Sequence, residues 1–204
     1  HQTSAYLATF FMWLFVSVTG GVTGVILYLH IVGAVLHSGV TWLLYRFFRK
    51  RLDEPVARLM AIFFLTVRPK DLLYPEFSNM QIWFSALLFL SLVKYLEAQE
   101  RKRWLVLSAV CLCLETIAYP SCVIVAIGVA VVLWFYSEQR YRDIGIFLGT
   151  CFVIGCVYVS FFAVRLGMHE FLTGLGNIVT ADASHGAGAR TLSFAYFKYF
   201  LYGL

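Results

Sequence analysis

From Gly24 to Tyr45 the chain carries no formally charged side chain, and the apolar run continues to Phe48 with Arg46 as its first charge. A helix of that length rises about 37 Å, enough to cross a hydrocarbon core of roughly 30 Å with some tilt. Such a stretch also restricts the backbone, because in lipid every N–H and C=O has to be satisfied within the segment itself. The same alternation of apolar run and short charged cluster repeats along the chain. The spans read from it are 24–48, 55–73, 80–96, 104–119, 122–137 and 144–164, with a shorter apolar helix at 4–19 suited to the membrane interface. The expected fold class is all-α, a polytopic transmembrane helix bundle with interfacial helices, forming one transmembrane domain over residues 1–204.

Composition agrees. Hydrophobic residues make up 61% of the chain and charged residues 13%, against about 45–50% and about 25% in soluble domains. The net charge of +5 does not point to nucleic acid, since the basic residues sit in short clusters between apolar runs, as loop anchors at a lipid surface do. Cys111, Cys113, Cys122, Cys151 and Cys156 all fall inside apolar segments and read as small buried hydrophobes. The chain starts at His1 and stops at Leu204 within an aromatic run, and it reads as a piece of a longer protein.

Charge placement sets the expected topology. One helix from Trp104 to Tyr136 would measure about 50 Å, so Pro120 and Ser121 are expected to close a hairpin of two short helices. That hairpin returns Arg140 and Arg142 to the side of Arg101, Lys102 and Arg103. The basic loops 46–58, 94–103 and 137–143 then face the cytoplasm, leaving Arg68, Lys70, Arg165, Arg190 and Lys198 outside. Glu97 and Arg101 have the spacing of a solvated helix pair. His30 and His37, seven apart, read as a polar stripe facing the bundle. Gly145 and Gly149, four apart, read as a surface for close helix packing.

The stretch Arg68 to Asn79, RPKDLLYPEFSN, gathers charge, two prolines and an amide between two apolar spans. A span broken in this way is tolerated where protein or a water-filled cavity surrounds it. It is expected to wall a polar recess at the outer surface, into which Arg68, Lys70, Asp71, Tyr74, Glu76, Asn79, Tyr119, Ser121 and, one turn deeper, Glu115 project. Arg68 and Lys70 are candidates for a phosphate, Arg through its planar fork and Lys as a point charge. Asp71 and Glu76 suit acid, base or metal-ligand work. Glu115 lies within a span, where a carboxylate is costly and is usually paired or functional. The candidate cofactor is a divalent metal ion, with Glu76 as its candidate ligand. Zinc-protease, dinucleotide, nucleophile-elbow and paired CxxC patterns are missing from the sequence.

The order of HQTSAYLATFFMWLF, LYLHIVGAVLHSGVTWLLYRFF, the break at Pro69, PEFSNMQIWFSALLFLSLVKYLEA and the turn AYPS resembles the membrane glycosyltransferases of the GT-C fold. The similarity is to the protein-mannosyltransferase and lipid A aminoarabinose-transferase relatives of bacteria, over roughly residues 1 to 165. It implies transfer of a sugar from a polyprenyl-phosphate carrier to an acceptor at the outer face, with inversion at the anomeric carbon. It places His1 and Gln2 where the first external loop turns into surface helices, so that His1 joins the substrate-lining residues. It matches Glu76 to the acidic residue heading the span after the break. It assigns the catalytic carboxylate to a loop before His1. Where many relatives have a basic motif, this chain has Tyr119, Pro120 and Ser121, leaving donor-phosphate contacts to Arg68 or Lys70. A transporter or flippase of a lipid-linked or anionic substrate is the alternative, since intramembrane charge and broken helices suit one equally. A non-catalytic membrane assembly subunit is the third reading.

Overall fold

The computed structural model describes residues 6–67, 73–97, 102–170 and 172–174, and among these residues the secondary structure is helical. The helices are α1 (Tyr6–Thr19), α2 (Val25–Phe48), α3 (Glu54–Thr66), α4 (Phe77–Glu97), α5 (Arg103–Ala118), α6 (Val125–Tyr136) and α7 (Arg140–Leu166), with a 3₁₀ turn at Pro120–Ile124 before α6. Three of them are long and apolar enough to cross a membrane: Val25–Phe48, Phe77–Glu97 and Arg140–Arg165. Packing divides the chain into two units, His1–Gly155 and Cys156–Leu204, with the boundary inside α7. In the second unit Tyr158 and Phe162 pack ring against ring at 4.8 Å, while Val157 and Val164 are exposed.

Within the first unit α4 is the shared element, because it carries two apolar stripes at helical spacing. Leu88, Leu92 and Tyr95 pack with Leu105, Ala109 and Leu112 of α5, Val129 and Leu133 of α6 and Phe147 of α7. Met80, Trp83 and Leu90 pack with Val40, Leu44 and Phe47 of α2. The outward faces stay apolar: Ile26, Leu27, Ile31 and Val35 on α2 and Phe152 and Val153 on α7 are all exposed. In water such surface would be a liability; against lipid it is ordinary.

Between α1 and α2 the chain turns through Gly20 and Gly24, both at positive φ (70° and 86°), where a side chain would be strained. His37, 1% exposed, joins three helices. Trp83 donates its indole N–H to Nδ1 (3.0 Å), so the ring proton is on Nε2, which donates to the Leu65 carbonyl (3.2 Å). The ring also stacks on Phe64 at 5.2 Å. Both nitrogens are used, which makes His37 a structural tie that also satisfies a carbonyl in the last turn of α3.

The opposite ends of α2, α4, α5 and α7 are bound by charge. Arg51, just after α2, makes a two-pronged pair with Glu97 at the end of α4. The pair expected between Glu97 and Arg101 lies outside the described residues, since Arg101 is not among them. Asp143, 1% exposed, accepts from the Tyr95 and Ser137 hydroxyls and from Lys102 Nζ (2.9 Å). Lys102 precedes α5 and Ser137 follows α6, so their meeting on one carboxylate makes α5 and α6 a hairpin. Tyr119, extended at φ −140°, and the 3₁₀ turn form its bend. At the charged end Arg46 lies over Trp42 (4.8 Å), Lys94 over Trp104 (4.4 Å) and Arg140 over Trp134 (5.0 Å). Tryptophan rings paired with cations are favoured at membrane–water interfaces.

One packing expectation is corrected. A Cβ built on Gly145 or Gly149 would meet nothing within 4 Å. The pair therefore brings no helix close among the described residues, because Phe147, between them, faces the core instead.

Candidate functional site

The turn ahead of α4 is fastened to α2 by backbone approach. A Cβ on Gly33 would stand 2.4 Å from the Leu73 carbonyl oxygen and 2.7 Å from Tyr74 Cα, so the close contact requires glycine. One turn earlier, His30 Nδ1 lies 3.3 Å from the same carbonyl, and the His30 ring meets the Tyr74 ring edge-on at 5.8 Å. The turn then closes on itself. Tyr74 donates its hydroxyl to Glu76 Oε2 (2.8 Å), Asn79 Nδ2 donates to the Tyr74 carbonyl (3.0 Å), and the Glu76 N–H donates to that carbonyl too (2.7 Å). Pro75, fully buried, fixes φ in the middle. Glu76 is 6% exposed and Asn79 1%.

Glu76 sits at the N-terminus of α4, where unpaired N–H groups favour negative charge. Its bond to the Tyr74 hydroxyl favours the protonated phenol, and with some burial holds Tyr74 above the ordinary tyrosine range. The result is a fixed, buried carboxyl group beside a donor hydroxyl and an amide.

Glu115 belongs to a different group. It is 2% exposed and accepts from Ser85 Oγ (2.7 Å), while its other oxygen, Oε2, has no hydrogen-bond partner among the described residues. Gln81 Nε2 donates to Cys122 Sγ at 3.3 Å, and Tyr119 stacks on Phe77 at 6.1 Å. Phe77, Gln81 and Ser85 are four apart, so they line one face of α4. Glu76 and Ser85 are nine apart, which at 100° per residue puts them on opposite faces, about 13 Å apart along the axis. The structure thus brings Tyr74, Glu76 and Asn79 together toward α2, and holds Glu115 with the Tyr119 turn toward α5. Of the recess expected from the sequence, the described residues show Tyr74, Glu76 and Asn79 bonded to one another and Glu115 bonded to Ser85. Ser121 is exposed at the turn. His1, Arg68, Lys70 and Asp71 lie outside the described residues.

Among the described residues no three His, Cys, Asp or Glu side chains gather as a metal site. A metal at Glu76 would draw its other ligands from elsewhere, Asp71 being the nearest in sequence. Glu115→Gln keeps the acceptor for Ser85 at a side chain of the same size, so its stability in detergent, followed by thermal melting, is expected to stay within about 1 kcal/mol of the parent's. A loss of more than about 2 kcal/mol would mean that the carboxyl group has a partner an amide cannot satisfy.

Compared with known proteins, the chain matches no family model, no curated protein and no solved structure.

Proposed function

We propose that this chain is the helical body of a membrane glycosyltransferase that takes its sugar from a polyprenyl-phosphate donor. The observation that carries the reading is the buried Tyr74–Glu76–Asn79 group heading a membrane-length helix, directly after a segment with Arg68, Lys70 and Asp71. In this reading the end bearing Arg46, Lys94 and Arg140 faces the cytoplasm, and Glu76 lies at the other face. Arg68 and Lys70 hold the donor phosphate. Glu76 orders the sugar hydroxyls, or a divalent metal with Asp71, while Tyr74 and Asn79 keep its carboxylate in place. An acceptor oxygen attacks the anomeric carbon, the bond to the carrier phosphate breaks, and the phosphate departs with the electron pair, stabilised by the two cations. The acceptor proton passes to a base that the sequence resemblance assigns to a loop before His1. Glu115 is a separate buried acceptor.

Glu76→Gln retains shape and hydrogen bonding but removes the charge. Incubated with labelled polyprenyl-phosphate sugar, the full-length variant is expected to lose transfer about 10²-fold or more while expressing and melting normally. Unchanged carrier consumption would remove Glu76 from the site. Movement of carrier across vesicles without loss of its sugar would favour a flippase.

A further inference from the structure

At the far end of α4 from Glu76, the last turns of α2 and α4 and the first turn of α5 enclose a cavity of about 480 Å³. Among the described residues its charged lining is four cations, Arg46, Lys50, Arg51 and Lys94, against the single carboxylate of Glu97. Arg51 takes that carboxylate, lies 3.6 Å over the Phe47 ring and donates to the Phe47 carbonyl (2.9 Å), so its guanidinium is fully engaged. Arg46, Lys50 and Lys94 are exposed and make no ion pair among the described residues. The lower wall is apolar, formed by Leu43, Leu87, Leu90 and Leu107. Leu43 and Leu107 are 41% and 42% exposed, so the apolar wall is open rather than sealed.

We propose that this cavity binds one acidic phospholipid, with its phosphate among Arg46, Lys50 and Lys94 and the start of an acyl chain along Leu43, Leu87 and Leu107. Three cations over an apolar slot repel one another until an anion joins them, and basic pockets between spanning helices suit acidic headgroups. The apolar wall selects a lipid over a soluble anion, which would fill only the rim and leave the leucines facing water. Trp42 and Trp104, each beneath one of these cations, set the rim at headgroup level. This site is independent of the proposed transferase chemistry: α4, 21 residues long, puts about 30 Å between the two.

The test is native mass spectrometry of the full chain, delipidated in detergent and titrated with phosphatidylglycerol, phosphatidylcholine or glycerol 3-phosphate. Expected is one phosphatidylglycerol per chain, held at least tenfold more tightly than phosphatidylcholine and not displaced by millimolar glycerol 3-phosphate. Arg46→Gln, Lys50→Gln and Lys94→Gln should each weaken binding about fivefold, and added salt should weaken it further. Arg58→Gln, whose arginine pairs with Glu54 outside the cavity, should leave it unchanged. All these side chains are exposed, so the variants fold; melting curves verify that. Equal retention of phosphatidylcholine, or full phosphatidylglycerol binding by the triple variant, would overturn the proposal. Displacement by glycerol 3-phosphate would overturn it too, making the ligand a soluble phosphate.

Discussion

Replacing Asp143 by Ala is expected to destabilise the bundle by about 3 kcal/mol, the largest loss foreseen for any single side chain outside the apolar core. One carboxylate, 1% exposed, holds the Tyr95 hydroxyl of α4, the Ser137 hydroxyl after α6 and the Lys102 ammonium before α5. Without it, Tyr95 keeps a buried hydroxyl with only the Ser137 hydroxyl beside it, and Lys102 loses the carboxylate it pairs with. Lys102 is 30% exposed and can turn toward water, which keeps the loss at the lower end of the range for a broken buried pair. Asp143→Asn, which still accepts from the hydroxyls, should cost about 1 kcal/mol. Unfolding in mixed micelles, followed by circular dichroism, measures both. A shift under about 1 kcal/mol for Asp143→Ala would mean that apolar packing alone keeps the four helix ends together.

That latch also shows which parts of the fold were legible in the sequence. Apolar run length locates α2, α4 and α7 well, because lipid imposes the length. It starts α7 at Ile144, whereas the helix begins at Arg140. Charged residues look like loop until their partners are known, and Asp143 is helical because Lys102, distant in sequence, neutralises it. Likewise α4 begins at Phe77, whose ring is covered by Tyr119.

The candidate site divides along the same line. The cluster at Tyr74, Glu76 and Asn79 is local, so the stretch that carries it was visible at once. Glu115 bonds to Ser85 on the α4 face that also carries Leu88, Leu92 and Tyr95 toward α5, and a lone serine gives no sequence signal for such a bond. The tie of His37 to Trp83 and Leu65 was equally hidden, although a polar stripe facing the bundle was the right description of the residue. Arg46, Lys50 and Lys94 read as loop anchors, since a cavity between helix ends has no sequence pattern.

Gly33→Ala should separate position from stability at the Glu76 group. The new Cβ would lie within 2.7 Å of Leu73 and Tyr74 backbone atoms, none of which can rotate away as a side chain could. The 73–76 turn must therefore lift off α2, breaking the contact between His30 and the Leu73 carbonyl. Alanine favours helix over glycine by about 1 kcal/mol, which roughly offsets that lost bond. Net stability should then change by less than about 2 kcal/mol. Function should respond far more, since displacing an ordering group by about 1 Å costs about 10²-fold. Gly39→Ala is the control on the same helix, where a Cβ meets open space; it should keep activity and gain up to about 1 kcal/mol. Hydrogen exchange gives a readout free of any assumed reaction. Amides of residues 73–80 should exchange faster in Gly33→Ala and at parent rates in Gly39→Ala. Matching rates in the two variants would mean that the turn does not depend on α2 for its position. Faster exchange with unaltered sugar transfer would instead detach the Tyr74–Glu76–Asn79 group from the chemistry while leaving its packing intact.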